Sequence, residues 1–238
     1  MIALFDMDGT LFPGDSQLRF AARIASRYPW RRLYLLLVLP AALLTALRLL
    51  RPVTLKRLFL CYLWGLKRSQ VESEARAFAE EDILPILYPE VKKRLEAHRR
   101  AGDSCILVSA SPDFYTVPIA SLLHFDAVLA TPVAYGKTMP LMPVISPPGN
   151  NKGANKVLRL RQSGLIPTGV PIPDSVAYTD SRADLPMLDL CEKAVLVNPS
   201  ARLAEAAGNG EVDILRPALP WASRWGHLLF IVRSLFAI

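Results

Sequence analysis

Two aspartates near the start of the chain have the types and spacing that chemistry requires. Asp6 and Asp8 end an apolar run and are followed by Gly9 and Thr10. In an extended strand, residues i and i+2 lie on one face, so both carboxylates can project from the carboxyl end of the strand, where open α/β sheets bind their ligands. Converging carboxylates repel each other unless a cation lies between them, and Mg2+ suits that position. The alternative interpretation is an Asp-Gly turn after a buried strand.

Further polar groups follow later apolar runs and could meet the first pair at one edge of a sheet. Transfer of a phosphoryl group needs a nucleophile, a divalent ion, hydrogen-bond donors and a fixed cation. Taken singly, such residues are usually helix caps or solvated side chains. Together they predict a phosphoryl-transfer site. Besides Asp6 and Asp8, the predicted site consists of Thr10, Ser109, Ala110, Lys152, Lys156, Asp180 and Asp184.

The elements that must position these residues alternate between strands and helices. The apolar runs predict strands at 104–108, 125–130, 175–179, 194–197 and 212–215 after the first, with a hairpin over 131–145. Helices are predicted over 15–27, 72–85, 89–100, 114–123, 153–162 and 185–190. This alternation predicts an α/β fold, a doubly wound, mostly parallel sheet with a Rossmann-like core and a helical cap inserted after the first strand.

Length and composition set the domain organisation. The 238 residues are 52% hydrophobic and 21% charged, enough for one large core with an insertion. We expect a catalytic core at 1–13 and 86–216, a cap at 14–85 and a C-terminal apolar helix at 217–238. The three cysteines, Cys61, Cys105 and Cys191, have no CxxC spacing, which favours a reducing, cytoplasmic setting. No secretory signal is expected, because the predicted active-site strand begins at Ile2.

The positive charge is concentrated in the predicted cap. Residues 14–68 contain eleven lysines and arginines but one acid, Asp15, and Arg19, Arg23 and Arg27 form a helical stripe. Residues 33–47 carry no charge and are interrupted by Pro40. This run is short for a bilayer span, so a re-entrant or interfacial segment, two short helices kinked at the proline, and a buried cap helix all stay open. The basic flanks favour an anionic membrane surface, whereas nucleic acid is not predicted, because interleaved aromatic residues are absent.

The order of the motifs resembles a known family. DMDGT, then a strand ending in Ser109, then Lys156 and TDSRAD are similar to the four motifs of the haloacid dehalogenase superfamily of phosphohydrolases. The position of the helical insertion resembles the phosphoserine phosphatase branch. The resemblance implies that Asp6 attacks phosphorus and becomes an aspartyl phosphate. It implies that Asp8 protonates the leaving alkoxide, then activates water, and ligates Mg2+ through its carbonyl.

The same resemblance assigns the remaining roles. It implies that Ser109 hydrogen-bonds the phosphoryl group and that Lys156 neutralises it. Asp180 would ligate Mg2+, and Asp184 would support the metal or the lysine. The sequence departs from the family at Thr179, where glycine is usual and a larger side chain should crowd the loop. Lys152 and Lys156 both fit a form of the third motif, and we favour Lys156.

The basic and apolar cap bears on the substrate. Its proline-interrupted run followed by Trp64-Gly65 resembles the phosphatidylglycerophosphatase C enzymes. We therefore expect a phosphatase acting on phosphatidylglycerophosphate or a similar lipid phosphate at the cytoplasmic face of the inner membrane. One alternative is a soluble, cytoplasmic phosphatase of phosphoserine or histidinol phosphate with residues 33–47 buried. The other is a catalytically idle protein that binds membranes.

Overall fold

A parallel sheet forms the centre of the protein. The computed structural model describes residues 1–207 apart from 37, 168 and 170, together with 211–221 and 226. The strands are β1 (Ile2–Phe5), β2 (Ser104–Pro112), β3 (Ala127–Thr131), β4 (Val133–Ala134), β5 (Val144–Ile145), β6 (Ile172–Thr179), β7 (Cys191–Val197) and β8 (Glu211–Leu215). Six of them form one sheet in the order β3-β2-β1-β6-β7-β8, in which neighbouring strands are parallel, and β4 pairs with β5 as the predicted hairpin. The predicted doubly wound sheet is confirmed.

Helices cover both faces of this sheet and form the insertion after β1. They are α1 (Ser16–Arg27), α2 (Arg32–Leu36), α3 (Val38–Ala46), α4 (Pro52–Phe59), α5 (Arg68–Ala77), α6 (Pro89–Ala101), α7 (Asp113–Leu122), α8 (Ala154–Ser163), α9 (Leu185–Leu188) and α10 (Ala201–Ala206). A π-helical turn, Phe78–Ile83, continues α5. The sequence analysis did not predict α4 or α10.

Alternation along β1 explains why the sheet is covered on both sides. Ala3 and Phe5 pack into one core with α6 and α7, whereas Leu4 packs into the other with residues of α8, α9 and α10. A strand buried on both faces must be apolar at every position, as β1 is. Its neighbours β2 and β6 run in the same direction, so the carboxyl ends of the three central strands meet at one edge.

Within the basic stripe of α1, the Arg23 side chain is turned into the protein, whereas the Arg27 side chain is 59% exposed. The Arg23 guanidinium donates to Glu74 at 3.0 Å and to Glu81 at 2.9 Å, and it also pairs with Asp82. Arg27 lies 3.4 Å from Glu74. The acidic residues after position 71 therefore fold back onto α1. The sequence did not reveal these pairs, because charges counted along the chain do not show which segments meet in space.

The uncharged run at 33–47 forms α2 and α3. Two short helices were one of the alternatives left open, and Pro40 is the third residue of α3, in the first turn, where the missing N–H costs little. Ala41 is buried, but large apolar side chains around it are exposed. No helix in the described ranges is long and apolar enough to cross a membrane.

The first residues after β8 are not helical. Residues 217–221 are irregular, which is consistent with prolines at 217 and 220 that disfavour helical backbone before them. The helix predicted over 217–238 therefore does not begin at Pro217. Residues 222–225 and 227–238 lie outside the described residues.

Candidate active site

A cavity of about 560 Å³ opens at the carboxyl edge of the sheet. Most of the predicted site residues lie in its wall. Ser109 and Thr10 are the exceptions, and both are fully buried behind it. The predicted residues that line the cavity are Asp6, Asp8, Ala110, Lys152, Lys156, Asp180 and Asp184. The topology thus brings together side chains from distant parts of the sequence.

Lys156 forms the centre of the charged cluster. Its Nζ donates to Asp6 Oδ1 at 2.6 Å and to Asp184 Oδ2 at 2.8 Å, and the side chain is only 2% exposed. Burial alone would lower the pKa of Lys156, but the negative charges of Asp6 and Asp184 outweigh burial and hold the pKa above its usual value. Lys152 precedes α8 and is exposed at the cavity wall. Of the two candidate lysines, Lys156 is the one in contact with Asp6.

Asp180 lies beside Asp6, and its carboxylate occupies space that is open only because residue 9 is a glycine. Thr10 Oγ1 is 3.4 Å from Asp6 Oδ2 and 3.3 Å from Asp180 Oδ1. Gly9 has φ 77°, and a Cβ built on it would lie 2.2 Å from Asp180 Oδ2. Burial, followed by the charge of Asp6, raises the pKa of Asp180 to about 7. Burial also raises the pKa of Asp6, against the opposing charge of Lys156.

Asp8 is held by a separate set of donors. The Ser16 N–H at the start of α1 donates to Asp8 Oδ1 at 2.7 Å, and Ser111 Oγ donates to Oδ2 at 2.5 Å. Burial first, and the charge of Asp15 second, raise the pKa of Asp8 to about 7. Ser16 and Ser111 were not predicted. The spacing of Ser109 and Ser111 on one strand face is the signal that could have identified Ser111.

Ser109 is buried and is not among the residues that line the cavity. Its Oγ accepts from the Ser111 N–H at 3.0 Å, and its carbonyl accepts from Asn151 Nδ2 at 3.1 Å. The adjacent Ala110 lines the cavity instead. In this structure the Ser109 hydroxyl therefore shapes the turn that presents Ala110.

Lys56 links the cap to this turn. Its Nζ donates to the Ala110 carbonyl and, at 2.7 Å, to Asn150 Oδ1. Burial lowers the pKa of Lys56 to about 8. In the sequence this residue contributed only to the count of positive charges in the cap, and nothing there marked it as a contact to the core.

Thr179 and Asp184 support the lysine. Thr179 Oγ1 donates to Asp184 Oδ2 at 2.8 Å and accepts from the Ser181 N–H at 3.0 Å. The same Asp184 oxygen accepts from Lys156. The threonine was expected to crowd the loop, but its hydroxyl holds Asp184 against Lys156.

The carboxylate oxygens of the site suit a Mg2+ ion that is bound by few protein side chains. Within the described ranges, no three His, Cys, Asp or Glu side chains are grouped so that they could hold a metal by themselves. The Asp8 side chain is held by Ser16 and Ser111, and Asp184 by Lys156 and Thr179. Asp6 contacts Lys156 through Oδ1, which leaves its Oδ2 beside the half-buried carboxylate of Asp180 on the cavity wall. Mg2+ is commonly bound by one or two carboxylates together with water and substrate phosphate oxygens.

Comparison with known proteins defines the family. Residues 3–189 match the family model for haloacid dehalogenase-like hydrolases. Because this match covers most of the chain, the protein belongs to the haloacid dehalogenase-like hydrolases, as the motifs predicted.

Individual relatives and solved structures share low sequence identity with the chain. The chain is 29% identical over 136 residues to histidinol-phosphatase of Neisseria meningitidis serogroup C, and the match spans 56% of this chain and 60% of that protein. A Bordetella pertussis Tohama I protein of unknown function has a similar fold, with a TM-score of 0.73 at 24% identity over 89% of this chain and 97% of that one. A substrate-bound phosphoserine phosphatase gives 0.58 at 16% identity, over 89% and 91% of the two chains.

Proposed function

We propose that the protein is a Mg2+-dependent phosphomonoester hydrolase that works through an aspartyl phosphate. The observation that carries this proposal is the contact between Lys156 and Asp6 in a cavity where Asp8 is held by different donors. Asp6 is thereby paired with a fixed cation, Lys156, which can also neutralise a phosphoryl group bound to Asp6. Asp8 has an elevated pKa and is suited to proton transfer.

The proposed reaction has two steps. A carboxylate oxygen of Asp6 attacks phosphorus, the bond from phosphorus to the alcohol oxygen breaks, and Asp8 gives its proton to the leaving alkoxide. Asp8 then accepts a proton from water, whose oxygen attacks the phosphorus of the aspartyl phosphate and releases inorganic phosphate and Asp6. Lys156 stabilises the charge of the phosphoryl oxygens in both steps. Mg2+, when bound by Asp6 and Asp180, would neutralise the phosphoryl oxygens and orient them.

Replacing the nucleophile tests this chemistry. We expect Asp6→Asn to lower kcat toward an aryl phosphate by ~1000-fold or more, because the covalent step is lost. The exposed Asp189, replaced in Asp189→Asn, is the matched control and should keep wild-type turnover. Chelation should abolish wild-type activity, and added Mg2+ should restore it. Unchanged activity in Asp6→Asn would refute the chemistry, and activity that is insensitive to chelation would refute the metal requirement.

For the substrate, we propose the terminal phosphate of phosphatidylglycerophosphate or a similar lipid phosphate, at the cytoplasmic face of the inner membrane. The support is an exposed apolar surface on the cap, whose members are between 42% and 73% exposed. These exposed side chains all come from one stretch of the chain, and large apolar patches on soluble proteins often mark protein or membrane interaction sites. Arg48 and Arg51 are exposed close to it in the chain and suit an anionic surface. This cap apolar face consists of Trp30, Leu33, Leu36, Leu43, Leu44, Leu47 and Leu49.

Sedimentation with vesicles tests the membrane proposal. Since Arg23 and Arg27 are paired within the protein, we expect apolar contact to dominate and binding to anionic phospholipid vesicles to depend only moderately on salt. Leu43→Glu with Leu47→Glu should lower the bound fraction more than 10-fold. Leu141→Glu, at a side chain of similar exposure outside the face, should bind as the wild type does. Recovery of the wild type in the supernatant at low salt would contradict the proposal.

A water-soluble phosphomonoester is the second candidate substrate. The similarity to a protein named histidinol-phosphatase favours it, as does the fold shared with phosphoserine phosphatase. Turnover of lipid phosphates in detergent, compared with that of histidinol phosphate and phosphoserine, separates the two candidates. A kcat/KM at least 100-fold higher for a soluble ester would favour the second.

A further inference from the structure

We propose that residues 217–221, after the last strand of the sheet, form part of the substrate site and favour phosphomonoesters whose alcohol carries an apolar chain. This inference rests on the proposed hydrolase function. It assigns a binding role to a segment that lies beyond the family match, which ends at residue 189.

Asn198 anchors this segment at the edge of the sheet. It follows β7 with φ 45°, and its backbone N–H donates to the Leu215 carbonyl at 2.8 Å. Its Nδ2 donates to the Pro217 carbonyl at 3.1 Å, and Pro217 itself is buried. Asn198 also lines the cavity, as Tyr88 does. The start of the segment is therefore fixed to the cavity wall by the hydrogen bond from Asn198 to Pro217.

Beyond this anchor the segment places two apolar side chains in the cavity wall. Leu219 and Trp221 line the cavity together with Leu18 from α1 and Tyr88, which precedes α6. Leu219 is 41% exposed, so apolar area is available for a ligand to cover. These four residues, which we call the apolar rim, come from three separate parts of the chain.

The apolar rim contrasts with the charged groups of the same cavity. The phosphoryl group must lie against Asp6 and Lys156, so the alcohol part of the ester has to extend toward other parts of the wall. Where the alcohol meets leucine, tryptophan and tyrosine side chains, burial of its methylene groups stabilises binding. None of the residues of the cap apolar face is part of the cavity lining, so the two surfaces can be tested separately.

Monomeric alkyl phosphates test the rim without a membrane. We measure kcat/KM for ethyl, butyl, hexyl and octyl phosphate below their aggregation limits. We expect wild-type kcat/KM to rise about 2- to 3-fold per added methylene over the first carbons, since a fully buried methylene contributes about 4-fold. Trp221→Ala combined with Leu219→Ala should reduce the ratio of octyl to ethyl phosphate at least 10-fold, and Trp221→Phe should largely retain it. Leu141→Ala is the matched control.

Binding of non-hydrolysable alkyl phosphonates, measured by calorimetry, separates this inference from the proposed function. If no ester is hydrolysed, the proposed function is wrong, and the ratio of phosphonate Kd values still tests the rim. A wild-type enzyme with no dependence on chain length would overturn the inference. So would a double variant that folds and keeps the wild-type ratio in both measurements.

Discussion

Gly9→Ala should displace Asp180 while leaving the fold intact. The new Cβ would lie 2.2 Å from Asp180 Oδ2 and 2.5 Å from its Cγ. Ordinary carbon–oxygen contacts are longer by more than ~1 Å, so the carboxylate has to move by about that distance. The left-handed φ of 77° adds a backbone cost of roughly 1–2 kcal/mol for any L-residue.

The two effects can be separated with a second glycine. Gly102, at the end of α6, has φ 76° and nothing within 4 Å of a built Cβ. Gly102→Ala therefore carries the same backbone cost without the steric clash. We expect it to lower Tm by ~2–8 °C, about 2–4 °C for each kcal/mol, and to leave kcat/KM within about 2-fold of wild type.

Activity and metal affinity are the measurements that matter for Gly9→Ala. A displacement of ~1 Å at a catalytic group can cost about 100-fold, so kcat/KM should fall by roughly that factor, or ~2.7 kcal/mol. The Mg2+ concentration for half-maximal activity should rise as well, because Asp180 is one of the two proposed ligands. If Gly9→Ala matches Gly102→Ala in kcat/KM and Mg2+ dependence, the position assigned to Asp180 is wrong.

Three further substitutions probe the charged groups around the cavity. Lys156→Met should abolish turnover. It should lower Tm more at pH 8 than at pH 5, because acid protonates the carboxylates that are left without their cation. An equal decrease in Tm at both pH values would contradict this. Lys56→Met should remove a pH dependence of stability. From pH 8 to 10 the unfolded wild type binds more protons than the folded protein, because burial lowers the pKa of Lys56 in the folded state. The free energy of unfolding of the wild type, measured in urea, should therefore rise by ~2 kcal/mol over this range relative to that of the variant. Ser111→Ala removes a donor to Asp8 and should lower kcat ~10-fold with little change in KM, and wild-type kcat would exclude a positioning role.

Much of the fold follows from local patterns in the sequence. The apolar run at β1 is uniform because both of its faces are buried, and helices such as α6 have clear starts and stops in Pro89 and Gly102. The aspartates were recognisable because they stand directly after that strand. Parallel strand ends share an edge, so Asp6 and Asp180 could be expected to meet.

Contacts made between distant segments could not be predicted in this way. Lys56 and Arg23 are both basic residues of the predicted cap. Lys56 reaches Asn150 in the core, whereas Arg23 pairs with Glu74 within the insertion. The orientation of the Ser109 hydroxyl toward the Ser111 N–H is equally invisible, because it depends on how the end of β2 bends. Such details are fixed by packing between elements, on which residue types and spacing carry little information.

Phosphorylation of Asp6 is the most direct test of the proposed mechanism. The wild type and Asp8→Asn are mixed with labelled aryl phosphate and Mg2+, quenched in acid, and digested for mass spectrometry. Because Asp8 is proposed to activate the water of the second step, Asp8→Asn should accumulate a phosphoryl group on the peptide containing Asp6, above the amount trapped in the wild type. Asp6→Asn should carry no label. Turnover with no phosphoryl group on Asp6 in any sample, or label at another residue, would contradict the mechanism.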